Sequence, residues 1–397
     1  MRRIAICVCV CVGALAAATA RADETKVVAG NNRFALALYR HVGAKAGNVF
    51  FSPSSIHTAL AMTYAGARGT TAEEMARALH YGKGERFFKD YGEFLRAIRP
   101  AKDAPYELRV ANSLWVQHDQ ALRAPFVACN REHFGVGLFD VDFKTRAEVI
   151  RGRINRWVED QTARKIKALL PAGALDAATR MVLANAIYFK GDWLRQFKKA
   201  STRPMDFHVS PARTVKVPMM RQQARFGYTA TPTLQALKMP YKGKELSMVV
   251  LLPKAGVALV KVEASLTEKS LGELVGRLGR SRKVQVFFPR FEMTEKMQMR
   301  AVLSKMGMAR AFGAGADFSG MTPSRELCIS DVFHKAFVKV DEKGTEAAAA
   351  TAVVMRLTAA PARPIVFKAD RPFCFLIRHE ATGAILFLGR LSDPATP

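Results

Sequence analysis

The chain has 397 residues, 49% hydrophobic and 24% charged, a balance that excludes global disorder. Lys and Arg outnumber Asp and Glu by 61 to 34, a formal charge of +27, so the surface attracts polyanions such as a heparin-like glycan or nucleic acid by counterion release. Beyond the extreme N-terminus no uncharged apolar run reaches about 18 residues, which excludes a transmembrane helix from the rest of the chain.

At the start, Arg2 and Arg3 precede an apolar run from Ile4 to Ala20, with small residues at Ala18, Ala20 and Ala22. This is the pattern of a secretory signal over residues 1–22, with an Ala-x-Ala exit after Ala20 or Ala22. Export to the extracellular space, or to the periplasm in a bacterium, is the expectation. Removal of the segment takes away Arg2, Arg3 and Arg21 and brings +27 to +24. It also takes Cys7, Cys9 and Cys11 and leaves Cys129, Cys328 and Cys374. Three well-separated cysteines encode neither a disulfide framework nor a C-x-x-C metal site, although one pair among them stays open.

Helices come first along the chain. Phe34, Ala35, Leu38 and Tyr39 recur with helical spacing, and Ser54 to Tyr64 follows a start in which Ser52 caps and Pro53 occupies the first turn. Thr70-Thr71-Ala72-Glu73 predicts another helix with a capping box. Strands are predicted at Leu108 to Val116 and at Met181 to Phe189, the latter apolar almost throughout and therefore central in a sheet. From about residue 203 strands dominate: 215–219, 225–229, 235–239, 246–252 and 284–288. Helices are predicted near Leu271 to Leu278 and Glu295 to Met306, and strands at 335–340, 373–377 and 385–388. No repeat or Gly/Pro/Ser linker divides the pattern, which reads as one mixed α+β domain.

The segment after Val340 is anomalous. Glu346 to Ala352 is helical by propensity, yet as a strand its alternate residues Thr345, Ala347, Ala349, Thr351 and Val353 are all small or β-branched. One face of such a strand enters a packed sheet without clash.

Five ordered motifs carry a family resemblance: Asn48-Val-Phe-Phe-Ser-Pro-Ser-Ser-Ile56, Asn185-Ala-Ile-Tyr-Phe-Lys-Gly191-x-Trp193, Phe333-His-Lys-Ala336, Glu342-Lys-Gly-Thr-Glu-Ala-Ala348 and Asp370-Arg-Pro-Phe373. From about Asn32 to Pro394 the chain resembles the serpins, the serine protease inhibitors, and its hinge sequence resembles that of the inhibitory type. The resemblance implies an α+β serpin fold over a single domain at residues 30–394. Its mostly N-terminal helices would surround three β-sheets, with an exposed reactive-centre loop at about 345–363. It further implies that a serine protease cleaves this loop, becomes held as an acyl-enzyme in a covalent complex, and is carried away as the loop joins the main sheet as a new strand.

About 14 residues at about 3.3 Å each would span on the order of 45 Å. At roughly 1 kcal/mol net per main-chain hydrogen bond, insertion is favourable by roughly 10 kcal/mol or more. The hinge suits rapid insertion: Gly344 tolerates a large dihedral change, Thr345 is the first residue to be buried, Glu346 points outward, and Ala347, Ala348, Ala349 and Ala350 need little space.

By the same resemblance Ser52, Ser55, Asn185 and His334 form the shutter, a buried hydrogen-bonded cluster where strands part. Glu342, Arg290 and Trp193 form the breach at the top of the sheet, where carboxylate and guanidinium can pair bidentately. Counting 17 positions from Glu342 places the reactive bond between Thr358 and Ala359, which favours an elastase-like target. Arg356 as the anchor would suit a trypsin-like protease, and Leu357 or Met355 a chymotrypsin-like one.

No G-x-S-x-G elbow, H-E-x-x-H helix or phosphate-binding loop is present, so the sequence predicts no enzyme, cofactor or metal site. A secreted monomeric inhibitor is the first reading; the alternative is a non-inhibitory protein of the same fold that binds polyanions through its basic surface.

Overall fold

Helix α2 (Pro53–Tyr64) shows most directly how the sequence sets the architecture. Ser52 caps it by accepting from the Ser55 amide, Pro53 sits in the first turn where no amide hydrogen is needed, and all 12 residues are buried. A helix buried on every side belongs inside a protein, and here it lies between two sheets. The computed structural model describes residues 26–135, 137–324, 326–344 and 364–396. Helices α1 (26–42), α3 (Gly69–Leu79), α4 (Glu85–Ala97), α5 (Ala124–Cys129) and α6 (Phe143–Gln161) complete the N-terminal helical region. Later come α7 (Leu259–Ser265), α8 (Glu268–Arg277) and α9 (Arg300–Leu303).

Strands β2 (Tyr106–Gln117), β3 (Gly137–Val141), β4 (Met181–Gly191), β10 (Phe291–Gln298) and β11 (Asp331–Val340) form a five-stranded sheet in the order β10-β11-β4-β2-β3. As its continuous apolar run predicted, β4 is central. Its ladder to β2 is antiparallel, whereas β11 and β4 are parallel neighbours from Asp331↔Val182 to Phe337↔Tyr188.

The second sheet joins β1 (Val49–Phe51), β5 (Arg203–Ser210), β6 (Arg213–Ala230), β7 (Leu234–Pro240), β8 (Leu246–Pro253), β9 (Ser281–Pro289), β12 (Ile365–Lys368), β13 (Phe373–His379) and β14 (Ile385–Leu391). Two of the three expected sheets are therefore continuous, and the five-stranded sheet stands apart. The long strand β6 pairs with β5 over its first part, with β9 from Met219 to Gly227 and with β7 at its end, and so joins the two within the nine-stranded sheet.

Apolar packing fills both faces of the five-stranded sheet. One core lies between it, α2 and the nine-stranded sheet, and the other beneath α6 around Trp115, Phe143, Ile154 and Tyr188.

Three local expectations are corrected. Residues Glu295 to Gln298 belong to β10, because Met293, Glu295 and Met297 alternate along a strand paired with β11; helix begins only at Arg300. The capping box at Thr70 does not form, since α3 starts at Gly69 and the Thr71 hydroxyl accepts from the Asp317 amide instead. The two strands expected at 215–219 and 225–229 are one, because the polar residues between them continue the ladder to β9. Cys129, Cys328 and Cys374 are all free thiols. No described helix is long and apolar enough to cross a membrane.

Candidate functional site

The site is the seam between β4 and β11. An additional strand that turned back from the C-terminal end of β11 and entered between these parallel neighbours would run antiparallel to both, the better-aligned ladder geometry. Entry requires the seven register pairs to separate, but a new strand then pairs along both of its edges.

The turn at the top of the seam is tightly built. Asp341 and Gly344 exchange backbone hydrogen bonds, and Gly344 bridges Asp192 just past the end of β4. At φ +136° Gly344 has a backbone that a side chain opposes, and a β-carbon there would stand 2.3 Å from the Gly191 carbonyl oxygen and 2.4 Å from the Trp193 amide nitrogen. Only glycine fits.

Around this turn the three breach residues come together. The Trp193 amide donates to the Lys343 carbonyl at 2.7 Å, its indole Nε1 donates to the Asp341 carbonyl at 3.0 Å, and its ring stacks on Tyr241 with centroids 4.6 Å apart. Glu342 is buried, and its Oε1 accepts from Arg290 Nη2 at 2.5 Å and from the Thr202 hydroxyl at 2.7 Å. Burial alone would raise the Glu342 carboxyl; donation by Thr202 and Arg290 outweighs it and holds the group below the usual carboxylate range. The expected bidentate pair is not made: Thr202 shares the oxygen, and Arg290 Nε is buried without a partner among the described residues.

Halfway down the seam the four shutter residues also meet. The Ser52 amide donates to His334 Nε2 at 3.2 Å, and a backbone N–H can only donate, so the imidazole proton sits on Nδ1 and points at Asn185 Oδ1. Asn185 Nδ2 in turn donates to Ser55 Oγ at 2.6 Å and to Asn112 Oδ1, which also receives the Ser55 hydroxyl at 3.3 Å. All donors run one way along this chain, from α2 through β11 and β4 to β2. Complete burial pushes the His334 pKa down to about 3, so the ring is neutral. The bond from His334 to Asn185 spans the two strands that insertion would part.

Sequence reasoning missed Asn112, Thr202 and Tyr241. Asn112 left a trace, a polar residue within the buried stretch of β2 directly opposite Asn185. Thr202 and Tyr241 left none. Thr345 to Ala350, and Met355, Arg356, Leu357, Thr358 and Ala359 with them, lie outside the described residues. Among the described residues no group of three or more His, Cys, Asp or Glu side chains is placed to hold a metal.

Residues 29–394 match the family model for the serpins, serine protease inhibitors. The chain is a serpin. A serpin-like protein of Thermococcus kodakarensis is 42% identical, over 94% of this chain and 86% of that relative. The leukocyte elastase inhibitor of Sus scrofa is 40% identical, over 92% of this chain and 99% of its own length. Among solved structures, uncleaved ovalbumin superposes with a TM-score of 0.84 at 29% identity, covering 93% of this serpin and all of ovalbumin. The α+β architecture and the two-sided packing of the five-stranded sheet are therefore those of the serpin fold.

Proposed function

We propose that this serpin is an exported, monomeric suicide inhibitor of a serine protease, with Thr358-Ala359 as its reactive bond and residues from Thr345 onward as the inserting strand. The protease serine oxygen attacks the Thr358 carbonyl carbon, the bond to the Ala359 nitrogen breaks, and that amine leaves with a proton from the protease histidine. Insertion between β4 and β11 then competes with hydrolysis of the ester.

The parallel seam beneath a hinge that admits only glycine carries this reading. The small alternate side chains after Gly344 and the absence of Pro or inward-facing charge from Thr345 to Val354 support it. An elastase-like target is favoured by Thr358 and by the relatives named as leukocyte elastase inhibitors; Arg356, Leu357 and Met355 keep trypsin-like and chymotrypsin-like enzymes as the next candidates. Incubation with elastase, trypsin and chymotrypsin is expected to give an SDS-stable complex with elastase, and mass spectrometry should place the new amino terminus at Ala359. Stoichiometric cleavage without complex would contradict inhibition. The signal-like segment 1–22 supports export, and sequencing of the mature protein should begin at Arg21 or Asp23.

A second reading, binding of a heparin-like polyanion, draws on one observation. Arg277, Arg280 and Arg282, at the end of α8 and the start of β9, share a cavity of about 490 Å³ with Tyr228 and have no ion-pair partner among the described residues. Elution from immobilised heparin only at high salt would support it, and flow-through at physiological salt would remove it.

A further inference from the structure

On the face of the five-stranded sheet that α6 covers, the seam carries charges that neither the shutter nor the breach accounts for. Lys296 on β10 and Lys335 on β11 are direct cross-strand partners, so two like charges share one face where opposite signs would be favoured. A lysine on an edge strand wards off further strands, which suits Lys296, but Lys335 lies one strand in and has no edge to protect. The Lys335 ammonium donates to the Lys167 carbonyl at 2.7 Å, which ties β11 to the loop between α6 and β4, and Lys167 is itself exposed and adds an ammonium there. Burial lowers the pKa of both Lys335 and Lys296; Lys296 lowers the first further and Arg151 of α6 the second, so cations from both sides of the seam feel one another. Among the described residues no carboxylate pairs with Lys167, Lys296 or Lys335: Glu148 is engaged by Arg151, Glu292 by Lys339, and Glu295 lies on the opposite face of β10. Gathered cations without carboxylates are the parts of an anion site.

We propose that this cluster binds a small, multiply charged oxyanion of the inorganic phosphate class, which bridges Lys296 and Lys335 on one side of the seam to Lys167 on the other and straps the sheet closed. The coupling has a geometric cause. Lys296 and Lys335 belong to β10 and β11, whereas α6 and the loop after it are joined to the other half of the sheet, α6 by packing on β2 and β4 and the loop by running into β4. A strand entering between β4 and β11 would carry the two sides about 4.8 Å further apart and break the bond from Lys335 to the Lys167 carbonyl. Empty, the cluster repels across the seam and favours parting; filled, it attracts and opposes parting. An anion that binds the closed form better biases the equilibrium against opening. This coupling rests on the proposed strand insertion; the binding site does not.

The test titrates the full mature chain with inorganic pyrophosphate by calorimetry, in chloride buffer of fixed ionic strength. Lys296→Gln and Lys167→Gln, both on exposed side chains, should each weaken pyrophosphate roughly tenfold. Arg277→Gln, in the cavity between α8 and β9, should leave it unchanged. No binding by the parent, or equal binding by the parent, Lys296→Gln and Lys167→Gln, would overturn the site, and so would a loss confined to Arg277→Gln. After cleavage within residues 345–363, pyrophosphate binding should fall at least tenfold; unchanged binding in cleaved protein whose melting temperature has risen would overturn the coupling. A melting temperature unmoved by cleavage would instead count against the inhibitory function, and the three variants would still decide the site.

Discussion

Two regions of the molecule are stitched by opposite means. In the nine-stranded sheet, β8, β13 and β14 pair antiparallel, and apolar side chains bury nearly every position. Phe375 packs there on Phe50 and Phe291. In the five-stranded sheet, β4 and β11 are parallel, and at the middle of their seam the contact is a chain of neutral polar groups from the Ser52 amide to the Asn112 side chain. Apolar packing is non-directional and is lost in proportion to area, whereas a hydrogen-bonded seam can open at a few bonds and re-form on a new strand. A strand entering between antiparallel neighbours would be parallel to one of them. Between the parallel neighbours β4 and β11 an entering strand would be antiparallel to both.

The comparison breaks most sharply at the hinge. Thr345→Arg places a charge on the first side chain to be buried, and it is expected to abolish the SDS-stable complex while leaving cleavage intact; gel analysis after elastase incubation checks this. If the complex persists at the parental level, residue 345 does not enter the seam. The nine-stranded sheet supplies the counterpart. Phe375→Ala should cost about 3–5 kcal/mol by denaturant unfolding and should destabilise the native and cleaved forms alike, because both retain that core.

Acid should act on two buried histidines, of which His334 lies at the seam and His57 on α2. Burial holds His334, and likewise His57 against the Leu79 carbonyl and Tyr91 hydroxyl, at a pKa pushed down to about 3. An unfolded histidine takes its proton near 6.5, so between the two values the unfolded chain binds more protons. Native stability is therefore full above about pH 6.5 and falls as pH drops toward 3, by on the order of a few kcal/mol per histidine. His334→Gln should remove about half of that slope in urea unfolding between pH 6.5 and 4; an unchanged slope would mean that His334 is not held neutral. The smallest effect is expected at the breach. Glu342→Gln keeps the shape but loses a charge-assisted bond to Arg290, costing about 1–2 kcal/mol in the native form.

Legibility from sequence followed the range of the forces. The start of α2 was readable because Ser52 and Pro53 act within one turn. The Thr70 capping box failed because the helix begins one residue earlier, at Gly69, behind an Arg68 whose amide is tied to the distant Asp317 carbonyl. Strand β10 was misread because Glu295 to Met306 has helix-forming composition and its pairing with β11 is tertiary. The pairing of Glu342 with Arg290, 52 residues away, came from family resemblance and not from any local pattern. Thr202 and Tyr241 became visible only once the chain was folded around Gly344.

The central claim is that the described form holds free energy in reserve along the β4–β11 seam. Melting temperature before and after a single cleavage within residues 345–363 tests it directly. Insertion worth roughly 10 kcal/mol in a domain of this size predicts a rise of more than about 10 °C. An unchanged melting temperature would contradict the account.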